Sequence, residues 1–346
     1  MSSCFIYAIG RVETFGISCR KHFGLQVIQA IRNHELTGMD QGRRLHGNQV
    51  KIDIELASAL VREQFPCFAN EEILPLHSAG TNNAVFRIGA GHAARFPLKL
   101  MDPETCERRL RSESVAMIEL GECCPVPTPQ PAGIGRASAD YPMPWLLQGW
   151  IEGAVATPDG LGGSTIFALD LARLVTSLRA ADVKGRRFDG RGRGGHLPDH
   201  DDWMEECFHK SEGLLDVARL RRLWSDFRDL PSSGVEVMSH KVLIPANLLV
   251  KGERLTGVLD GGDFGPADPA LDCVVGWHLL DRERRSIFRN AAGIGELEWA
   301  RGAAWAFQQA MGLVWFYRET NPAMSALGRS TLQRLLEDAD ATRFAI

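Results

Sequence analysis

The chain has 346 residues, 45% of them hydrophobic, and a formal net charge of −4. This length accommodates one large or two modest domains with a sizeable core, and the charge balance argues against binding to nucleic acid or an anionic membrane. Eight scattered cysteines without a CxxC pair indicate reduced thiols and predict a cytoplasmic protein. No run of roughly 18 apolar residues predicts a membrane span, and the N-terminus lacks a secretory pattern.

Residues 1–38 differ from the rest of the chain because they show weak periodicity and no clear pairing of strands or helices. Met39 precedes a more regular segment. We interpret residues 1–38 as a poorly ordered extension, or as sequence upstream of the true start codon. A short docking helix at residues 24–33 is the alternative.

Residues 39–147 are predicted to form a small β-rich lobe with one prominent helix. Asp53 is the expected N-cap of a first helix over residues 53–65. A charged helix at residues 103–122 begins with Pro103, a favourable first-turn residue, and the prolines that follow exclude helix over the next linker. Strands are predicted at residues 73–77, 84–88 and 93–98, and an apolar strand with a connector at 141–152.

Residues 148–346 are predicted to form a larger, mainly helical lobe. Helices are expected at residues 165–181, 201–229, 268–290 and 296–339, and a strand pair, 235–239 and 247–260, interrupts them. Residues 190–195 are interpreted as a flexible glycine-rich loop. A small mixed lobe followed by a helical lobe is a bilobal α+β architecture.

The most informative segment is the loop at residues 239–247. A protein-kinase catalytic loop reads His-Arg-Asp, then four residues, then Asn. His240 and Asn247 keep that spacing, but Val242 stands at the position of the aspartate base. The spacing therefore predicts phosphoryl transfer, while Val242 puts catalysis in question.

Asn247 and Asp260 are the candidate metal ligands. An amide oxygen and a carboxylate are hard oxygen ligands, which Mg²⁺ prefers. Taken singly, each residue is equally well explained by a turn, since Asn247 follows Pro245-Ala246 and Asp260 precedes a glycine pair. Their combination with the loop spacing favours a magnesium site.

Arg95, on the strand at residues 93–98, is the candidate cation for nucleotide phosphates, and Glu113 is its candidate partner. Each alone would be interpreted as a solvated surface residue, but the strand and helix that carry them occur in the right order. Gly80, Thr81 and Asn83 would place backbone N–H groups over the phosphates, although any two strands need a turn. No GxxxxGK[ST] motif occurs, which argues against a P-loop kinase.

These segments together resemble the aminoglycoside phosphotransferase family of the protein-kinase-like superfamily over about residues 39–340. The resemblance implies a bilobal protein-kinase-like fold, ATP or GTP with Mg²⁺ as cofactors, and a small hydroxylated molecule as acceptor, an antibiotic being one candidate. The matching segments are SAGTNNAVFRIG (78–89), ARFPL (94–98), QGWIEG (148–153), LLV (248–250), LTGVLDGGDFGPADPALD (255–272) and YRETNP (317–322).

The resemblance also implies further roles. Backbone groups at the interlobe hinge would hold adenine, Asp268 and Asp272 would brace the catalytic loop, and the acceptor pocket would lie in the helical lobe. The hinge residues are Gln148, Gly149, Trp150 and Ile151. Tryptophans available to that pocket, or to the core, are Trp203, Trp277, Trp305 and Trp315.

The family's loop usually reads His-Gly-Asp-Leu-His-Pro-Gly-Asn, whereas residues 240–247 read His-Lys-Val-Leu-Ile-Pro-Ala-Asn. Loss of a general base typically costs roughly 10²–10⁴-fold in rate. Two main hypotheses follow: a phosphotransferase that relies on its metal and cations, or a pseudokinase-like nucleotide or ligand binder. A recently inactivated copy is a third. Asp263 is a nearby carboxylate whose position the sequence leaves open.

The only dense cluster of histidines and acids spans residues 196–209. We interpret it as a solvated loop and helix start near the acceptor pocket. A metal site is the alternative, because the cluster contains several possible ligands.

Overall fold

The computed structural model describes residues 50–76, 83–190 and 193–342. The expectations for residues 1–38, and those for Gly80 and Thr81, lie outside the described residues. The remaining chain forms a mixed sheet-and-helix N-terminal part and a mainly helical C-terminal part. The bilobal α+β fold class is therefore confirmed.

A five-stranded antiparallel sheet forms the N-terminal part, with the spatial order β1-β2-β3-β5-β4. Its strands are β1 (Ile73–Leu76), β2 (Asn83–Ile88), β3 (His92–Pro97), β4 (Pro131–Gly135) and β5 (Trp145–Gly149). The third strand is central, and Arg95 lies on it opposite Val85 on one side and Leu146 on the other. This placement holds Arg95 between two paired neighbours.

Two helices accompany this sheet. The first, α1 (Ile54–Gln64), begins as expected, because the Asp53 carboxylate accepts a hydrogen bond from the Leu56 N–H at 2.9 Å. The second, α2 (Pro103–Cys123), is capped in the same way by Asp102. It packs one side on the sheet, whose core includes the stacked rings of Phe96 and Trp145, 4.6 Å apart.

The C-terminal part contains most of the helices. After the short α3 (Pro158–Leu161), they are α4 (Thr165–Arg179), α5 (Asp201–Lys210), α6 (Val217–Arg228), α7 (Val274–Leu279), α8 (Arg282–Ala291), α9 (Glu296–Phe316) and α10 (Pro322–Thr342). None of the helices that the structure describes is long and apolar enough to cross a lipid bilayer.

Three of the expected long helices are divided, so their predicted extents are wrong. The helix expected at 201–229 breaks at a turn where Gly213 has φ +72° and Asp216 caps α6. The one expected at 296–339 ends at Phe316, and after a short turn a second helix begins with Pro322, a favourable first-turn residue. The one expected at 268–290 starts late, and Asp281 caps its second half.

The pairing expected between residues 235–239 and 247–260 is also wrong. β8 (Leu248–Lys251) and β9 (Arg254–Val258) pair with each other across a two-residue turn in which Gly252 has φ +60°. β7 (Val237–Ser239) pairs instead with β10 (Gly265–Ala267), while the two-residue β6 (Ala154–Val155) pairs with β8. Because β8 and β9 hydrogen-bond to each other in a local hairpin, β7 pairs with β10, which follows them in the chain.

The buried side chains form two clusters, one in each part of the chain. Helix α2 contributes to both, because Met117 belongs to the sheet-side cluster whereas Ala116 and Leu120 belong to the other. It therefore connects the two parts. The boundary that we place between residues 147 and 148 falls within β5 and stays a prediction.

Candidate active site

Arg95 lies at the centre of a polar cluster between the two parts of the molecule. Its guanidinium is 3.7 Å from the Glu113 carboxylate and 4.0 Å from that of Asp260, and it donates a hydrogen bond to the Gln148 side-chain oxygen at 3.3 Å. Arg95 and Glu113 are largely buried, whereas the Asp260 side chain is 55% exposed. The structure thus brings together four predicted site residues from four separate segments.

The sheet register and helix α2 explain this convergence. Arg95 pairs with Leu146, and Gln148, two residues further along β5, projects from the same face of the sheet. Glu113 uses one oxygen for Arg95 and the other for Arg109, one turn earlier on the helix at 2.9 Å. Glu113 is therefore held between two guanidinium groups.

The glycine pair after Asp260 allows this turn to approach helix α2 closely. A Cβ atom at Gly261 would lie 2.4 Å from a methyl carbon of Leu120, and one at Gly262 would lie 3.1 Å from the Glu113 side chain. Larger residues would push the turn away from the helix. The glycines therefore help to hold Asp260 near Arg95.

The predicted catalytic loop, residues 240–247, is fixed mainly through its backbone. The N–H groups of His240 and Lys241 donate to the two carboxylate oxygens of Asp272, each at 3.0 Å, and the buried His240 ring contacts the Leu259 carbonyl at 2.8 Å. Asp272 braces the loop, as the resemblance implied. Asp268 instead accepts hydrogen bonds from the Arg301 guanidinium and the Trp305 indole of α9.

Asn247 closes the loop from its far end. Its side-chain N–H group donates to the Val242 carbonyl at 2.9 Å, which leaves its amide oxygen for another partner. Its backbone carbonyl accepts from the Leu259 N–H at 2.8 Å, so Asp260 follows directly beside it. Two hard oxygens from adjacent segments suit Mg²⁺, which commonly completes its shell with waters and substrate phosphates.

Val242 keeps the backbone of the loop but not the chemistry of a base. Its carbonyl accepts from the Asn247 side chain and from the Ile244 N–H, both at 2.9 Å. A valine side chain offers no atom that accepts a proton. The loop therefore holds its shape without a carboxylate at this position.

Lys241 adopts a left-handed backbone conformation with φ +69°, which is costly for a residue with a Cβ atom. Its amino group lies 5.4 Å from the centre of the Phe188 ring. Desolvation lowers the Lys241 pKa, although Asp189 and Asp263 are among the carboxylates that act in the opposite direction. Sequence reasoning noted this departure from glycine but gave the side chain no role.

Two backbone N–H groups of the predicted hinge already donate hydrogen bonds within the protein. The Gly149 N–H donates to the Gln130 carbonyl and the Trp150 N–H to the Gly91 carbonyl, both at 2.8 Å. Within the described part of the chain, the Ile151 amide has no hydrogen-bonded partner. Its N–H group therefore stays available as a donor, unlike those of Gly149 and Trp150. Asn83 begins β2 opposite Pro97.

The cluster at residues 196–209 is organised by ion pairs. Asp201 binds Arg228, and Glu205 binds the Arg221 guanidinium through both oxygens. Among the described residues, no group of three or more histidines, cysteines or acids is arranged to hold a metal ion. These contacts explain the charges of the helix start without a metal.

The four tryptophans fall into two groups. Trp277 and Trp305 are fully buried and form part of the core. Trp203 and Trp315 are partly buried, with ring centres 6.0 Å apart. Only the second pair therefore has surface left for a ligand.

Comparison with known proteins places these features in context. The model of the phosphotransferase enzyme family matches residues 73–305. A comparison with curated proteins gave no match.

Among solved structures, the GDP and kanamycin complex of APH(2")-IIia has a TM-score of 0.61 at 18% identity, covering 83% of this chain and 99% of that one. The macrolide 2'-phosphotransferase MphH from Brachybacterium faecium has a TM-score of 0.54 at 18% identity, with 80% and 98% covered. The streptomycin-ATP-APH(2")-IIa ternary complex has 0.53 at 16% identity, with 76% and 91% covered. At these identities the structural likeness establishes the shared fold.

Proposed function

The chain belongs to the phosphotransferase enzyme family, and on that premise we propose that it binds ATP or GTP with Mg²⁺ and transfers the γ-phosphate to a hydroxyl of a small molecule. The observation that carries this proposal is the convergence of Arg95, Glu113 and Asp260 between the two parts of the molecule. Similar structures hold GDP or ATP together with kanamycin or streptomycin, which supports this choice of ligands.

Arg95 is assigned to the nucleotide phosphates. Its guanidinium is a permanent cation with a planar fork of donors, and Glu113 and Gln148 fix its orientation. Phosphoryl transfer depends chiefly on positioning and charge neutralisation. Arg95 would therefore contribute to both binding and transition-state stabilisation.

Asn247 and Asp260 are the residues that would hold Mg²⁺, through the amide oxygen and the carboxylate. When bound, the ion supplies positive charge against the phosphate oxygens. The hydrogen bond from the Asn247 side chain to the Val242 carbonyl turns the amide oxygen away from the loop backbone. Asp260, in a left-handed conformation with φ +61°, is aimed by the same turn that contacts α2.

The acceptor hydroxyl meets no carboxylate from residue 242. We therefore propose a slow phosphotransferase, in which orientation and charge neutralisation provide the rate enhancement and the hydroxyl proton leaves to solvent. A missing base accounts for a loss of roughly 10²–10⁴-fold relative to an intact loop.

A pseudokinase-like nucleotide binder is the second candidate. The observation that favours it is Val242, which removes the base while Asn247 and Asp272 preserve the loop. Such a protein would bind nucleotide through the Arg95 cluster and act by holding a ligand or a partner.

The test begins with thermal-shift titrations of Mg·ATP and Mg·GTP. Nucleotide turnover is then measured with a panel of aminoglycosides and macrolides, for the native chain and for Asp260→Ala. Phosphorylated acceptor formed by the native chain and lost in Asp260→Ala supports the phosphotransferase. Binding without any phosphorylated product supports the second candidate, and absence of nucleotide binding contradicts both.

A further inference from the structure

Arg193 has unused hydrogen-bonding capacity beside the candidate active site. It lies in the glycine-rich segment that we interpreted as a flexible loop, but its Nε–H donates to the Gln308 side-chain oxygen at 3.2 Å. This is its one hydrogen bond to the part of the chain that the structure describes, and it has no ion pair there. Both terminal amino groups of the guanidinium are therefore without a partner among residues 50–76, 83–190 and 193–342.

The position of Arg193 is fixed by neutral groups. Gln308 is 5% exposed, and its amide nitrogen lies 3.4 Å from the His200 ring. That ring packs edge-on against Trp305, and burial, with Arg193 as a second cause, lowers the His200 pKa to about 4. His200 is thus uncharged at neutral pH, and Gln308 is neutral as well. The positive charge of Arg193 therefore has no counter-charge at this contact.

Arg193 is partly buried, and desolvation lowers its pKa, while Tyr317 and Asp263 act in the opposite direction. A desolvated charge is costly unless a counter-charge or hydrogen-bond partners meet it. Of Tyr317 and Asp263, only Asp263 carries a carboxylate, and it forms no ion pair with Arg193. A planar guanidinium with two free amino groups matches a carboxylate or phosphate, which it binds through two parallel hydrogen bonds.

The location of Arg193 connects it to the acceptor side of the site. Asp263 ends the short turn that begins after Asp260, and it acts electrostatically on both Arg193 and Lys241. Lys241 directly precedes Val242, at the position of the missing base. The Arg193 loop is also tied to β10, because the Asp268 N–H donates to the Gly194 carbonyl at 3.3 Å.

From these contacts we propose that Arg193 binds an oxyanion, a carboxylate or a phosphate, carried by the acceptor molecule. The identity of that molecule as an acceptor rests on the proposed function, whereas anion binding by Arg193 stands independently. The acceptor would then be a hydroxylated acid or a phosphorylated compound. A polycationic aminoglycoside would place like charges against Arg193.

The first test measures binding of inorganic phosphate and of acetate by isothermal titration, at constant ionic strength. It uses the full chain in an Arg95→Gln background, which removes the cation assigned to nucleotide phosphates. We expect one of these anions to bind, and Arg193→Gln to weaken that binding roughly 10- to 100-fold, as for hydrogen bonds to charged groups. Arg187→Gln, an exposed arginine in the same loop, is the matched control and should leave binding unchanged.

Arg193→Lys is a second variant that distinguishes loss of the binding group from a folding defect. It keeps the positive charge but loses the planar guanidinium with its paired N–H donors. Binding that falls less in Arg193→Lys than in Arg193→Gln supports the proposal. No binding of either anion in the Arg95→Gln background overturns it, as does equal binding by Arg193→Gln. Preference for acetate over phosphate, or the reverse, identifies the oxyanion.

The second test compares glucose, gluconate, glucose 6-phosphate and kanamycin as acceptors with Mg·ATP. Phosphorylation of kanamycin in preference to the two acids overturns the acceptor assignment, whereas preference for an acid supports it. Failure to bind Mg·ATP would contradict the proposed function, and the outcome of the anion titration would still decide the role of Arg193.

Discussion

The predicted nucleotide side of the site follows the family pattern more closely than the predicted catalytic loop does. On the predicted nucleotide side, Arg95, Glu113 and Asp260 lie together in a charged cluster. In the loop, the backbone bonds to Asp272 and Asn247 are kept while Val242 replaces the base. The difference indicates that loop shape depends on bracing residues, so the shape can persist after the chemistry has changed.

The largest expected effect concerns the buried ion pair between Asp268, just after β10, and Arg301 of α9. Asp268→Ala should lower the free energy of unfolding by about 3–5 kcal/mol, because it leaves the buried Arg301 guanidinium unpaired. Chemical denaturation measures this change. Removing the exposed partner Glu205, which pairs with Arg221, should cost at most about 1 kcal/mol. Equal costs for the two variants would show that Asp268 is not a structural brace.

The next effect separates the nucleotide side from the loop. Arg95→Gln should weaken binding of Mg·ATP or Mg·GTP roughly 10- to 100-fold, because charge-assisted hydrogen bonds to phosphate are lost. Isothermal titration gives the affinities. Arg109→Gln, which removes the other partner of Glu113, is the matched variant and should have a smaller effect. Unchanged affinity in Arg95→Gln would remove Arg95 from the binding site.

A third effect depends on pH and on the fully buried His278. Burial lowers its pKa from 6.5 to about 4, so the folded state favours the neutral ring. The unfolded state therefore takes up the proton first, and stability should fall as the pH drops below about 6.5. Between pH 7 and pH 5 the loss should be roughly 2 kcal/mol. Urea unfolding of the native chain and of His278→Gln measures it, and an equally steep decline in the variant would contradict this assignment.

The smallest effect tests strain in the catalytic loop. Lys241→Gly should raise the free energy of unfolding by up to about 1 kcal/mol, since glycine adopts the left-handed conformation without steric cost. Lys184 also has a left-handed conformation, with φ +54°, but lies outside the loop, so Lys184→Gly is the matched control. If Lys241→Gly destabilises the protein while Lys184→Gly does not, the contacts of the Lys241 side chain outweigh the strain.

Local signals allowed much of the fold to be predicted. Asp53 and Pro103 marked helix starts because caps and prolines act within one turn. The pairing of β7 with β10 was missed because it joins segments separated by the β8–β9 hairpin. The helix break after Lys210 was missed because hydrophobic periodicity resumes on its far side.

The residues of the candidate site likewise divide into those that local sequence signals predict and those that only the fold brings into place. Arg95 and Glu113 could be proposed from the order of the strand and the helix that carry them. Arg193 could not, because glycines surround it in the sequence and its partner Gln308 lies far away on α9. Only the fold shows that this arginine is fixed.

Val242→Asp tests most directly our proposal that the site binds nucleotide but lacks a base. Affinity for Mg·nucleotide and the rate of acceptor phosphorylation are measured on the native chain and on this variant. We predict an unchanged affinity and a rate that rises roughly 10²–10⁴-fold. An unchanged rate, despite an unchanged affinity and a folded variant, would contradict the claim that Val242 is what limits this site.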